Sequence, residues 1–169
     1  MEIKRLVLQV EEYASADELQ DGDRELLEKA ITARSSAYAP YSHFEVGAAV
    51  RLANGLIFTG NNQENVAYPS GLCAERVALF HAQSVWPEIP VESIAITASA
   101  EEFAMTEPVS PCGSCRQVMA EYENRHRNKI RVIMAGNGYL RAINGIENLL
   151  PFMFMLEALK KPGGRKAKG

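Results

Sequence analysis

Two stretches with helical spacing begin on cysteine, and each follows an extended apolar run. These are residues 73–85 (CAERVALFHAQSV) and the segment CGSCRQVMAEYEN after Pro111. Residues 92–99 (ESIAITAS) between them read as a buried strand, and residues 130–135 (IRVIMA) as another. Ahead of the first helix, Val46, Ala48, Val50 and Leu52 alternate up to Asn54-Gly55, and LIFTG follows. An Asn-Gly pair between two such runs is a strong hairpin signal, with both turn residues expected at positive φ. A hairpin followed by strand, helix, strand, helix and strand predicts an α/β layered sheet with crossover helices.

Further elements follow from the same patterns. Asp23 precedes Leu27, Ala30, Ile31 and Arg34 at helical spacing, which predicts an acid-capped first helix ending before Tyr38. Leu6, Leu8 and Val10 lie on one face of residues 5–11, predicting a strand ahead of the main domain. In the 73–85 helix, Val77, Phe80 and either Ala82 or Val85 are the expected inward residues. Pro111 is expected in the favoured first turn of the next helix. A short strand, YLRAI, is expected after the Asn137-Gly138 turn. No internal repeat is evident. The organisation predicted is an N-terminal extension with a strand (1–22), one catalytic domain (23–160) and a disordered basic tail (161–169).

Apolar residues make up 47% of the 169, enough for one real core, and no apolar run is long enough to cross a bilayer. The N-terminus lacks the basic and apolar regions of a secretory signal. A net charge of −3 and a pI near 5.7 disfavour a polynucleotide partner, which calls for a basic face. Three cysteines, an odd number, make a poor disulfide framework. A reducing cytoplasm is therefore the expected compartment, and metal binding or catalysis the expected role.

In successive right-handed crossovers both helix starts lie at one edge of the sheet, so Cys73, Cys112 and Cys115 are expected to meet. The free N–H groups and dipole of a helix start favour thiolate. Zinc suits three thiolates and then keeps a fourth position open to water. A closed structural site would need a fourth protein ligand. His43 lies in a loop, His81 about 12 Å along the helix from Cys73, and His126 at the far end of the next helix. Glu75 could serve an open zinc as a base, provided Cys73 sits at the cap and the metal over the helix end. Three thiolates outweigh the charge of zinc, so a nearby cation is expected: Arg76 or Arg116.

At these residues the chain resembles the small cytidine deaminases. The resemblance rests on Cys73-Ala74-Glu75-Arg76 and on Pro111-Cys112-Gly113-Ser114-Cys115-Arg116-Gln117. AYAPYSHFEVGAA (37–49), GNNQENVAYPSG (60–71) and LLPFMF (149–154) extend it, so that it covers roughly residues 23–156. It implies a three-layer α/β/α sandwich with a mixed central sheet and one zinc per subunit on Cys73, Cys112 and Cys115. It also implies hydrolytic deamination of free cytidine and deoxycytidine in pyrimidine salvage. Water activated by zinc would attack C4 of the pyrimidine while Glu75 shuttles protons. Asn62 and Glu64 would hold the ribose hydroxyls, Ala74 would offer backbone contacts to the base, and Phe44 would pack against it. Arg76 would hydrogen-bond to the thiolates. A homotetramer with shared sites is implied, Phe154 reaching into a neighbour's site, with no nucleic-acid or membrane partner. The chain departs from the family at the N-terminal strand, at Asn61 in place of a frequent cysteine, and at Pro69. Three alternatives stay open: a cytosine-containing antibiotic as substrate, polynucleotide editing, and a non-catalytic zinc domain with a fourth protein ligand.

Overall fold

Leu52-Ala53-Asn54-Gly55 reverses the chain, the Gly55 N–H reaching the Leu52 carbonyl at 2.8 Å and the Leu52 N–H that of Leu56 at 2.9 Å. Gly55 alone of the Asn-Gly pair takes positive φ, at 83°, because the loop is a three-residue turn with one left-handed position. The turn joins β2 (Phe44–Leu52) to β3 (Ile57–Asn61). The structure, a computed structural model, describes residues 1–102 and 104–155. The predicted tail at 161–169 and the end of the predicted domain lie outside the described residues.

The remaining elements are β1 (Glu11–Tyr13), α1 (Asp21–Arg34), α2 (Ala74–Val85), β4 (Val91–Ala100), α3 (Gly113–His126), β5 (Arg131–Ala135) and β6 (Leu140–Asn144). They form one mixed sheet in the order β1-β6-β5-β4-β2-β3. β4 and β5 pair in parallel, and the other neighbours are antiparallel. β3 and β4, both antiparallel to β2, therefore run the same way. The crossovers through α2 and α3 thus start from one edge of the sheet.

The two faces bury different residues, as the period of two requires. Ala48, Val50 and Leu52 pack with Ala78, Leu79, Ala82 and Met119 beneath α2 and α3. Ala49, Ala95 and Ile133 pack with Leu26, Leu27 and Ala30 of α1 on the opposite face. Three layers, helix–sheet–helix, result, as the resemblance implied. The backbone of α2 lies directly on β3: a Cβ at Gly60 would sit 2.5 Å from the Ala78 nitrogen and 2.8 Å from the Ala74 carbonyl oxygen. Buried Glu123 of α3 accepts the Ile130 N–H at 2.7 Å and the Ile146 N–H at 3.1 Å, tying the helix to both ends of the β5–β6 hairpin.

Four further local expectations are corrected. The N-terminal strand is Glu11–Tyr13, not residues 5–11, because β6 offers Ala142, Arg141 and Leu140 as partners to those three residues. Leu6, Leu8 and Val10 are exposed. The N-cap of α1 is Gln20, with no side-chain cap. Asp23 sits in the first turn, where its carboxylate accepts from the Arg131 guanidinium at 2.7 Å. The inward face of α2 is Ala74, Ala78, Leu79 and Ala82, while Phe80 and Val85 are exposed. Contact as close as that at Gly60 admits small side chains and excludes a phenylalanine. Pro111 precedes the α3 cap residue, Cys112, instead of opening the first turn.

Candidate metal centre and substrate cavity

Cys73 is the N-cap of α2 and Cys112 the N-cap of α3, both with extended backbone (ψ 151° and 165°) and no side-chain capping bond. Their sulfurs are thus free to point beyond the helix ends. Cys115, one turn into α3, is buried. The Cys73 and Cys112 sulfurs lie 3.8 Å apart, and those of Cys112 and Cys115 3.5 Å apart. All three lie within 4.8 Å of one another. A tetrahedral zinc with bonds of about 2.3 Å to sulfur has sulfur–sulfur edges of about 3.8 Å, so the donor set fits that ion.

The electrostatics of the trio also call for a cation. Hydrogen bonding from Cys115 holds the Cys73 thiol down at about 5, with help from Arg76. The same contact with Cys73, together with burial, pushes the Cys115 thiol far above the ordinary range. Three sulfurs this close cannot ionise together by themselves, whereas a divalent ion stabilises all three thiolates. Among the described residues, the group able to hold a metal is these three cysteines. His43 faces Glu101 at 3.5 Å, His81 packs edge-on against Phe58, and His126 meets Gln83 at 3.1 Å. No histidine completes the shell, which leaves room for solvent.

Of the two candidate cations, Arg76 donates to the cluster, its Nη2 lying 3.7 Å from the Cys73 sulfur. Arg116 does not. Its guanidinium donates to the Pro111 carbonyl at 2.7 Å and the Leu149 carbonyl at 2.8 Å, fastening the chain after β6 to the start of α3.

A cavity of about 680 Å³ opens beside the cysteines. Glu75, only 4% exposed, lines it together with Cys73 and Cys112. The cap position of Cys73 is what lets a residue two places along face the same space. Desolvation pushes the Glu75 carboxyl above the usual range, and the neighbouring Cys73 sulfur pushes it further. Such a group gains and loses a proton nearer neutrality than an exposed glutamate.

Phe44, Asn62, Glu64 and Ala74 line the same cavity. Asn62 is locked onto β2, accepting the Val46 N–H and donating to the Phe44 carbonyl, each at 2.8 Å. One Glu64 oxygen accepts the Tyr41 N–H at 2.9 Å, and the other accepts the Ser42 hydroxyl at 2.5 Å. The Ser42 hydroxyl in particular holds this carboxyl below its ordinary value. Phe154 is not among the residues lining this cavity. It is exposed, and its backbone is gripped by Gln117, which accepts its N–H at 3.1 Å and donates to its carbonyl at 2.7 Å. Asn61 donates to the Ala33 carbonyl at 2.9 Å, tying β3 to the end of α1.

Sequence reasoning passed over Ser42, Tyr41 and Gln117. A signal for the first was available: serine two places before Phe44, after Pro-Tyr, is an ST-turn pattern, and the Phe44 N–H does donate to the Ser42 hydroxyl.

Residues 20–129 match the family model described as the cytidine and deoxycytidylate deaminase zinc-binding region. The chain is 49% identical over 100 residues to a cytidine deaminase of Halalkalibacterium halodurans, covering 59% of this chain and 71% of that protein. It is 46% identical over 99 residues to one from Sporosarcina psychrophila, covering 59% and 68%. Among solved structures, cytidine deaminase from Burkholderia pseudomallei superimposes with a TM-score of 0.67 at 38% identity, covering 77% of this chain and 97% of that one. The Mycobacterium tuberculosis cytidine deaminase gives 0.60 at 30% identity, covering 81% and 99%. Matched over residues 20–129, from α1 through α3 and across all three cysteines, the chain belongs to the cytidine and deoxycytidylate deaminase zinc-binding family.

Proposed function

We propose that the chain catalyses zinc-dependent hydrolytic deamination of cytidine and deoxycytidine to uridine and deoxyuridine, releasing ammonia. The observation that carries this reading is the gathering of three cysteine sulfurs at two helix starts, with the Glu75 carboxyl facing the same cavity. Cys73, Cys112 and Cys115 would hold the zinc, which when bound would supply an activated water for attack at C4 of the pyrimidine. Glu75 takes one proton from that water and gives it to the ring nitrogen, then takes the second from the new C4 hydroxyl and gives it to the amine, which departs as ammonia while the C4 carbonyl forms. Arg76 offsets the excess charge of three thiolates. Ala74, opening α2, offers its backbone to the base, and Phe44 packs against the ring. Asn62 and Glu64 hold the ribose hydroxyls.

The lining of the cavity favours an unphosphorylated nucleoside. Arg76 is the one cation among its described lining residues and is engaged with Cys73, while Glu64 would repel a phosphate. The assembly read from the resemblance is a homotetramer, with Phe154 contributed to a neighbour's site. The chemistry fits cytoplasmic pyrimidine salvage, and no helix of the described residues is long and apolar enough to cross a membrane. The working division is an extension at 1–22, a catalytic domain at 23–160 and a basic tail at 161–169.

The test is ammonia release from cytidine by the wild type and by Glu75→Ala. Loss of the proton carrier should lower kcat by about 10²–10⁴-fold while zinc content stays at one per chain. Equal rates would remove Glu75 from the chemistry, and an inactive zinc-loaded wild type would sink the assignment.

A further inference from the structure

We infer that Ser42 is a positioning residue for the sugar end of the substrate, its hydroxyl joining the Glu64 carboxylate to the backbone of Phe44. The inference rests on the nucleoside deaminase reading above and adds a residue that the family resemblance left without a role.

The Ser42 hydroxyl donates to one Glu64 oxygen at 2.5 Å and accepts the Phe44 N–H at 3.1 Å. The other Glu64 oxygen accepts the Tyr41 N–H at 2.9 Å and the Ser42 N–H at 3.3 Å. His43, between Ser42 and Phe44, takes left-handed φ of 51°, which accompanies the turn of the Phe44 N–H back onto Ser42. From the other side Asn62 holds the Phe44 carbonyl at 2.8 Å. Both backbone polar groups of Phe44 are thus engaged, one by Ser42 and one by Asn62.

A carboxylate has roughly four acceptor sites. Three donors already occupy Glu64, so one more, such as a ribose hydroxyl, completes it. A glutamate held in place before substrate arrives gives up no rotamer freedom on binding, which is how preorganisation raises affinity. Without the Ser42 hydroxyl, Glu64 loses its shortest contact and the Phe44 N–H loses its acceptor. The residues proposed for sugar and base are then released together. The metal end, built on α2 and α3, shares none of these hydrogen bonds.

The experiment compares cytidine with 2′,3′-dideoxycytidine, which lacks both hydroxyls proposed for Asn62 and Glu64, in zinc-loaded wild type, Ser42→Ala and Ser42→Thr. Ser42→Ala should lower the preference in kcat/KM for cytidine about tenfold, equivalent to about 1.4 kcal/mol. The change should fall on KM for cytidine, with kcat within about twofold. Ser42→Thr, which keeps a hydroxyl, should retain the preference. Zinc content and thermal midpoint identify a variant that has lost its fold. If Ser42→Ala does, Ser42→Cys, with only a weak donor, replaces it and the same fall is expected. An unchanged preference, an equal loss on both substrates, or a Ser42→Thr as impaired as Ser42→Ala would each overturn the inference while leaving an active wild type as a deaminase. A wild type that releases no ammonia from either cytidine or deoxycytidine would overturn the deaminase reading, and this inference with it.

Discussion

The two ends of the cavity are built by different physics. At the metal end, two helix caps and one buried helical residue hold the sulfurs, and the backbone beneath them is pinned by contacts as close as that of Gly60 with α2. At the opposite end, exposed Ser42 and half-buried Asn62 and Glu64 sit on or beside loops, fixed by side-chain hydrogen bonds to strand and loop backbone. Helix starts cannot shift without disturbing the core, so that end suits one invariant reaction. Loops tied by a few polar contacts can change residue by residue, so that end suits selection among substrates. Substitutions at the first end should therefore abolish the reaction, and those at the second should grade it.

Cys112→Ser makes the sharpest attack on this contrast. Removing one of three sulfurs should release the metal and lower kcat/KM for cytidine by at least about a thousandfold, corresponding to about 4 kcal/mol of transition-state stabilisation. Metal analysis and ammonia release check it together. A variant that kept full zinc and a rate within tenfold of wild type would mean the sulfurs are not the working ligands.

Asn62→Ala probes the other end with a smaller effect. The substitution leaves the Val46 N–H and the Phe44 carbonyl without their side-chain partner. The expected cost is about 1–3 kcal/mol of stability, read as a lower denaturation midpoint. KM for cytidine should rise with bound zinc unchanged. A fall in kcat of the Cys112→Ser size would erase the distinction between the two ends.

The same contrast governs what could be read from the sequence. The metal end was legible because its determinants are local and periodic: cysteine at each helix start, proline before one of them, alternation before Asn54-Gly55. Topology then did the rest, carrying both helix starts to one sheet edge. The packing of α2 was not legible, since hydrophobicity favours Phe80 while close contact with β3 selects Ala74 and Ala78. Arg116 was equally ambiguous, because its two carbonyl partners lie on either side of it in sequence, at Pro111 and Leu149. The Ser42–Glu64 bond joins residues 22 apart with no periodicity to announce it. Resemblance could name Glu64 but not what holds it.

A third region should be silent in catalysis, and its silence is the mildest test of the comparison. β1 is held to the sheet edge by ion pairs: Glu11 with Arg131 at 2.6 Å, beside Asp23 with the same guanidinium at 2.7 Å, and Glu12 with Arg141 at 2.8 Å. Hydrogen bonding from Arg131 holds the Glu11 carboxyl below its ordinary value, but its side chain is 47% exposed, so solvent screens most of the gain. Glu11→Gln should then cost less than about 1 kcal/mol near neutral pH, with kcat and KM for cytidine unchanged. A folded-state value below the unfolded one means the charged form stabilises the fold. That contribution is complete above the unfolded value of about 4.3 and is lost as pH falls through the depressed folded value. Denaturation midpoints of wild type and Glu11→Gln should therefore converge on acidification below that point and separate on return to neutrality. A gap that widened in acid would put the stabilisation on the protonated carboxyl, and a changed KM would connect the N-terminal strand to the cavity, leaving two ends too few to describe the enzyme.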